Sequence, residues 1–272
     1  MDDIEKHVYR YISSSPIKIT FGVLRRYLVK EFDLSVTDVK EIVSKLIRSG
    51  DLCYTNHYGN VNIELSYDKP VKVSKNVVLK PSSVTYHPQH GETVVTLEKG
   101  FSFGCGAHPS TRLAIRLMDD AVSNFRWKKE KSALSALDIG TGSGVLGILA
   151  AKLGIGFVCA VDTDPCAVFE SKKNAFLNSV EKVVTILNGD LEAADGQYSI
   201  VLANLRFPTL TALRGELIRR MKKNGIIILS GLKEEEVFKA SGAYKNLGFS
   251  MTNFLMELGW GACLLLRGDL LR

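Results

Sequence analysis

Apolar residues recur every three or four positions through the N-terminal part of the chain, and then the pattern switches to alternation. Ile4, Val8 and Ile12 share one helical face, which the run Ser13 to Pro16 stops. Phe21, Leu24, Leu28 and Phe32 repeat the spacing, and Val36, Val39, Ile42, Val43 and Leu46 form a third stripe. Ser35 stands where that third helix needs an N-cap, and Gly50 stands where it must end. The segment LCYTNHYGNVNIEL then alternates as two strands around a turn at Tyr58-Gly59-Asn60. Three helices and a hairpin predict a small winged-helix-like α+β domain over residues 1–66.

Residues 67–100 read as a connector with short strands, punctuated by Pro70, Pro81, Pro88 and Gly91. From residue 101 to 272 the pattern alternates strand and helix. Strands are expected near 134–139, 157–162, 183–188, 199–204, 225–230, 249–257 and 262–267. Helices are expected at about 143–154, 165–178, 209–222 and 233–247, with a shorter connection near 190–196. Such alternation predicts an open, mostly parallel sheet with helices on both faces. The last two strands are separated only by Gly259-Trp260-Gly261, too short for a crossover, so they pair antiparallel. A Rossmann-like parallel sheet with a C-terminal antiparallel hairpin matches the class I methyltransferase fold rather than a dinucleotide dehydrogenase.

Composition changes this picture little. The chain is 46% hydrophobic and 24% charged, ordinary for a globular protein. It has no run approaching the ~20 apolar residues of a membrane span, so no membrane association is expected. The N-terminal MDDIEK lacks the order of a secretory signal. Cys53, Cys105, Cys159, Cys166 and Cys263 are scattered and form no CxxC pair, which argues against a zinc site or a disulfide framework. No metal is expected, and a reducing cytoplasm is the default compartment.

The net charge of +6 is unevenly spread. Residues 1–66 carry nine basic and nine acidic side chains, residues 67–132 eleven and six, and residues 133–272 fifteen and fourteen. The excess includes Arg126, Lys128, Lys129 and Lys131, a cluster able to attract RNA or an acidic protein, or simply to stay solvated. The neutral N-terminal module argues against duplex DNA, since phosphate binding needs unbalanced positive charge.

Candidate chemistry gathers at strand ends. In LDIGTGSG (137–144) a strand runs into Gly140, Gly142 and Gly144, which let the backbone turn tightly and approach a ligand. Asp138 lies inside that motif, where a carboxylate can hold a cationic amino group directly or through water. A pyrophosphate would be repelled there, so S-adenosylmethionine fits better than a dinucleotide. Asp162 ends the second strand and can accept from both ribose hydroxyls. Asp164 is an alternative that suits helix capping before Pro165. Asp190 ends the third strand and can accept from an adenine amino group. The fourth strand ends at Asn204, followed by Phe207. An Asn there can orient an amine lone pair beside the cofactor, and the ring can pack on the methylated group or simply start a helix.

The segment LEKGFSFGCGAHPSTRLAIRLM (97–118), with LDIGTGSGVLGILAAKLG, VDTDPCAVFESKKNAFLN, VLANL, SGL at 230–232 and Trp260, resembles the methyltransferases that modify the large-subunit ribosomal protein L-eleven. The likeness runs from about residue 75 to the C-terminus. It implies that Phe103, Gly104, His108 and Thr111 line an S-adenosylmethionine site and help to close it. It also implies methylation of nitrogen on a protein, at a lysine or an N-terminal amine. Two departures stand out: Cys105 replaces the family's usual Thr, and the winged-helix-like module stands where the family has an α/β recognition domain. An RNA methyltransferase gripping through the basic segment is the alternative, and a DNA-reading cofactor sensor is a weaker one.

Overall fold

In the computed structural model, which describes residues 3–15, 17–57, 60–98, 100, 102–104, 106–124 and 130–268, the chain divides into two units, Met1–Lys69 and Pro70–Arg272. The first holds helices α1 (Asp3–Ser14), α2 (Phe21–Phe32) and α3 (Val36–Arg48) and strands β1 (Ile19–Thr20), β2 (Leu52–His57) and β3 (Asn60–Leu65). Its strands form an antiparallel sheet in the order β1-β3-β2. The helices begin where side chains can satisfy their free N–H groups. Thr20 accepts from Val23, and Ser35 and Asp38 form a reciprocal capping box at α3. Val8, Leu24, Leu28, Val39, Val43, Leu46, Leu52 and Ile63 close a core of the unit's own. The turn expected at Tyr58-Gly59 lies outside the described residues.

The second unit opens with β4 (Val71–Lys72), β5 (Val77–Pro81) and β6 (Thr93–Leu97), a small sheet in which β5 pairs antiparallel to β4 and parallel to β6. Helix α4 (Pro109–Asn124) follows, then β7 (Ser135–Ile139), α5 (Val145–Lys152), β8 (Phe157–Asp162), α6 (Pro165–Leu177), β9 (Val184–Asn188) and β10 (Tyr198–Asn204). The chain continues through α7 (Phe207–Arg219), β11 (Met221–Lys233), α8 (Glu234–Lys245), β12 (Phe249–Glu257) and β13 (Trp260–Arg267). Among the described residues the main sheet has the order β12-β13-β11-β10-β7-β8-β9, parallel except for β13, which runs against both neighbours. This is the class I methyltransferase arrangement that the strand–helix alternation predicts. No described helix is long and apolar enough to cross a membrane.

The structure departs from the sequence reading at two places that matter for the site. Helix α4 is absent from that reading because its polarity pattern misleads. Arg112 and Asp119 are buried beside Leu113, Ile115, Leu117 and Met118, so the helix has no clean polar face. Trp260, assigned to the last turn, is the first residue of β13. The turn is Leu258-Gly259, both with positive φ (53° and 78°), as a two-residue hairpin requires.

The edge of β6 is closed by a side chain. Asn178, just beyond α6, accepts from the Thr96 N–H (2.9 Å) and donates to the Thr96 carbonyl (2.6 Å). Of the basic cluster, Arg126, Lys128 and Lys129 lie outside the described residues. Lys131 opens a short 3-10 turn.

Candidate functional site

The parallel strands β7, β8, β9 and β10 all deliver their C-terminal ends to one cavity of about 570 Å³. Such a position, outside the carboxyl ends of an open sheet, is where these folds take ligands. Phe103, His108, Gly140, Gly142, Asp162 and Asp190 line it, and Asn204 closes one side. Seven of the sequence-predicted residues therefore meet in one place.

The glycine loop is shaped by what lies across it. The Ser143 N–H donates to the Phe103 carbonyl (2.9 Å), and a Cβ on Gly142 would sit 2.3 Å from that same oxygen. Gly142 has φ +55°, a conformation that costs other residues energy. A Cβ on Gly104 would meet Ser143 Oγ at 2.7 Å. Gly104 therefore acts as a packing surface on the loop rather than as a cavity residue. Gly144, also off the cavity, is the N-cap of α5.

Asp162 is held rigidly. Its Oδ2 accepts from the Gly142 N–H (2.9 Å) and its Oδ1 from the Asp164 N–H (3.0 Å). Each oxygen retains a lone pair for a ligand hydroxyl. Asp164 caps α6 by accepting from the Cys166 N–H, the role its sequence position suggests. Asp190 lines the cavity and also caps the following 3-10 turn, accepting from Glu192 (2.9 Å).

Asp138 is placed differently from the expectation. It is 2% exposed, does not line the cavity, and turns its carboxylate beneath the loop. Its Oδ2 accepts from Thr141 Oγ1 (2.6 Å) and the Gly147 N–H (3.0 Å). Burial pushes this carboxyl up to about 6, against the pull of those two bonds, and the nearby Asp162 charge pushes the same way. A raised value means that the folded protein binds this proton more tightly than the unfolded chain does. The stability it gives is complete below about pH 4 and lost as pH rises through about 6. Asp138→Asn keeps one acceptor oxygen for both bonds and cannot ionise. Between pH 5 and pH 8 the wild type should lose about 1 kcal/mol that the variant retains. Urea midpoints at the two pH values check this, and parallel losses in both proteins would contradict it.

Asn204 carries the site's one described side-chain oxygen that is buried, in the cavity wall and without a partner. Its Nδ2 donates to Thr111 Oγ1 (3.3 Å), while its Oδ1 has none. Thr111, at the start of α4, is fully buried and serves Asn204 rather than lining the cavity. Phe207 is not brought to the cavity. It opens α7 and packs against the core of the unit, because the apolar ring gains more from burial there.

The aromatic residues at the cavity are instead Phe103 and Trp260. The His108 ring meets Trp260 edge to face (centroids 4.4 Å) and Phe103 at 5.0 Å. Its Nδ1 lies 2.8 Å from Ser110 Oγ and 3.2 Å from the Ser110 N–H, which holds the ring in place. Arg206 and Lys233 stand over the indole at 4.9 and 4.2 Å. Trp260, 53 residues beyond Phe207, lines the cavity where Phe207 does not. Only the family likeness of Trp260 pointed to it. Among the described residues no cluster of His, Cys, Asp and Glu has the geometry of a metal centre.

The model of the family described as ribosomal protein L11 methyltransferase matches residues 61–267. A ribosomal protein L11 methyltransferase of Geotalea uraniireducens is 36% identical over 204 residues, covering 73% of this chain and 64% of the relative. One from Clostridium perfringens is 33% identical over 194 residues, covering 71% and 59%. The chain thus spans under two thirds of the length of these relatives. The crystal structure of a ribosomal protein L11 methylase from Lactobacillus delbrueckii subsp. bulgaricus aligns with a TM-score of 0.65 at 25% identity, covering 74% of this chain and all of that one.

Proposed function

Because the chain belongs to the ribosomal protein L11 methyltransferase family, we propose that it methylates nitrogen on a protein, at a lysine side chain or an N-terminal amine, with S-adenosylmethionine as donor. The observation that carries this reading is the buried, unpartnered Oδ1 of Asn204 in the wall of a cavity floored by a glycine loop. A buried carboxamide oxygen left without a donor costs free energy unless something N–H-bearing completes it.

The residues present fit that donor. Asp162 would take the ribose hydroxyls, Asp190 the adenine amino group, and Gly140 and Gly142 the close backbone approach. Phe103 and His108 would cover it. Gly104, Gly144, Thr111 and Asp138 would act one step back, by shaping the loop and holding Asn204. When bound, S-adenosylmethionine supplies an electrophilic methyl group on a sulfonium.

The chain's own task is to present a neutral amine and exclude water. A free lysine with pKa near 10.4 is protonated at pH 7 and has no lone pair. Desolvation in the cavity and the positive charges of Arg206 and Lys233 beside Trp260 both favour its neutral form, with the proton leaving to solvent. Asn204 Oδ1 then accepts one remaining N–H and turns the lone pair toward the donor. Phe103 and Trp260 take the packing role that the sequence assigned to Phe207.

The N-terminal unit reads as a winged-helix-like module that presents a protein substrate in the cytoplasm. Lys45, one of the three cations on α3, is committed to the buried Glu5, which weakens a nucleic-acid face there. Incubation of the enzyme with cell extract and tritiated-methyl donor tests the assignment. Label should be removed by protease and survive ribonuclease. Label removed only by ribonuclease would establish an RNA acceptor instead.

A further inference from the structure

The described residues of the 102–108 segment owe their position to a buried ion cluster that the proposed chemistry does not use. Arg112 lies one turn into α4 and is 9% exposed. One edge of its guanidinium, Nε and Nη2, donates to Glu257 Oε1, the former at 2.7 Å. Its Nη1 points the other way and donates to the carbonyls of Gly106 (3.2 Å) and Ala107 (2.5 Å). Glu257 ends β12 and is likewise 9% exposed. Its second oxygen accepts from Arg116 Nη1 (2.6 Å), and Arg116 Nε donates to the Val73 carbonyl (2.8 Å). A guanidinium is planar, so fixing one edge on Glu257 dictates where the other edge can hold a carbonyl.

The held segment is the one lying over the glycine loop. Phe103 accepts from Ser143 on one side of the Gly106–Ala107 anchor, and on the other side His108 meets Trp260 at 4.4 Å. Both Phe103 and His108 line the cavity. Buried ion pairs seldom stabilise a fold more than apolar residues would, because desolvation offsets their attraction. This cluster's directional bonds to two loop carbonyls are what an apolar replacement could not supply.

We propose that Arg112, oriented by Glu257, is a positioning residue that clamps residues 102–104 and 106–108 over the donor site and thereby sets how long the cofactor is retained. It touches neither cofactor nor acceptor. Its effect passes through the Gly106 and Ala107 carbonyls to Phe103 and His108. The proposal rests on the cofactor reading given above.

Arg112→Lys keeps the charge toward Glu257 but loses the planar fork. In a Trp127→Phe background Trp260 becomes the sole tryptophan, so its emission reports on the His108 contact. The variant should release S-adenosylhomocysteine about tenfold faster by stopped-flow displacement, with a matching rise in Kd. The Trp260 emission of the free protein should shift, while kcat at saturating donor stays within about twofold. A lowered Tm with unchanged dissociation rate and emission would make the cluster purely structural and overturn the proposal. Should Arg112→Lys fail to fold, Glu257→Asp, which keeps every charge and withdraws the carboxylate by one methylene, is held to the same two readouts. Failure of the wild type to bind the donor product would sink the cofactor reading itself. Equal retention by wild type and variant would sink only the clamp.

Discussion

Replacing Asn204 with alanine should lower kcat about a hundredfold, equivalent to about 2.7 kcal/mol of transition-state stabilisation, while the affinity for S-adenosylmethionine changes less than about threefold. The asymmetry follows from the two ends of the carboxamide. Its Nδ2 is engaged with Thr111 (3.3 Å), so the side chain is fixed before any ligand arrives. Its Oδ1 is buried and has no partner among the described residues. Truncation would remove the group proposed to orient the amine and leave the residues proposed to hold the donor, Asp162 and Asp190, untouched. Rate and affinity are separable by single-turnover methylation beside equilibrium dialysis of the donor. Unchanged turnover would end the assignment of Asn204. A loss confined to donor affinity would move it from acceptor to cofactor.

The second large effect is expected at Gly142. An alanine there must place its Cβ 2.3 Å from the Phe103 carbonyl oxygen, a backbone atom that cannot rotate aside, and must hold φ +55°. The left-handed conformation alone costs roughly 1–2 kcal/mol. The clash also forces apart the Ser143 N–H and the Phe103 carbonyl that it bonds (2.9 Å). Gly142→Ala should therefore weaken donor binding at least about thirtyfold, or about 2 kcal/mol, and lower Tm by several degrees. Gly91→Ala is the control, with φ +82° but open space around its Cβ. It should lose stability without losing donor affinity. Calorimetric titration of both variants decides the matter, and equal affinities would show that the loop tolerates the displacement.

Much of this architecture was legible in the order of residues. The strand runs into Gly140 at β7, to Asp162 at β8 and to Asn204 at β10 follow the sequence pattern, and Ser35, Asp164 and Gly144 sit at helix starts where chain chemistry puts them. The ends of β7, β8 and β10 are readable because Gly140 follows the first and Asp162 and Asn204 close the other two. Helix α4 was not readable, because a buried Arg112 looks the same in a sequence as an exposed one. Its partner Glu257 lies 145 residues away, and no local signal links them. The same limit explains the aromatic residues. Phe207 sits at the right distance along the chain from Asn204, yet distance along a chain does not say which side of a helix start a ring will face. Asp138 shows the converse, a carboxylate in the expected motif that the fold turns inward to Thr141 and Gly147.

The amide of Asn178 has a consequence for the protein's behaviour in a crowded solution. Strand edges with free N–H and C=O groups invite other chains to add strands, and proteins blunt them by several devices. By giving Thr96 both an acceptor and a donor, one side chain ends the small sheet without spending a further strand on it. A substitution that preserves size but not both hydrogen-bonding functions would reopen β6 to self-association. Loss of solubility, rather than loss of catalysis, would be its signature.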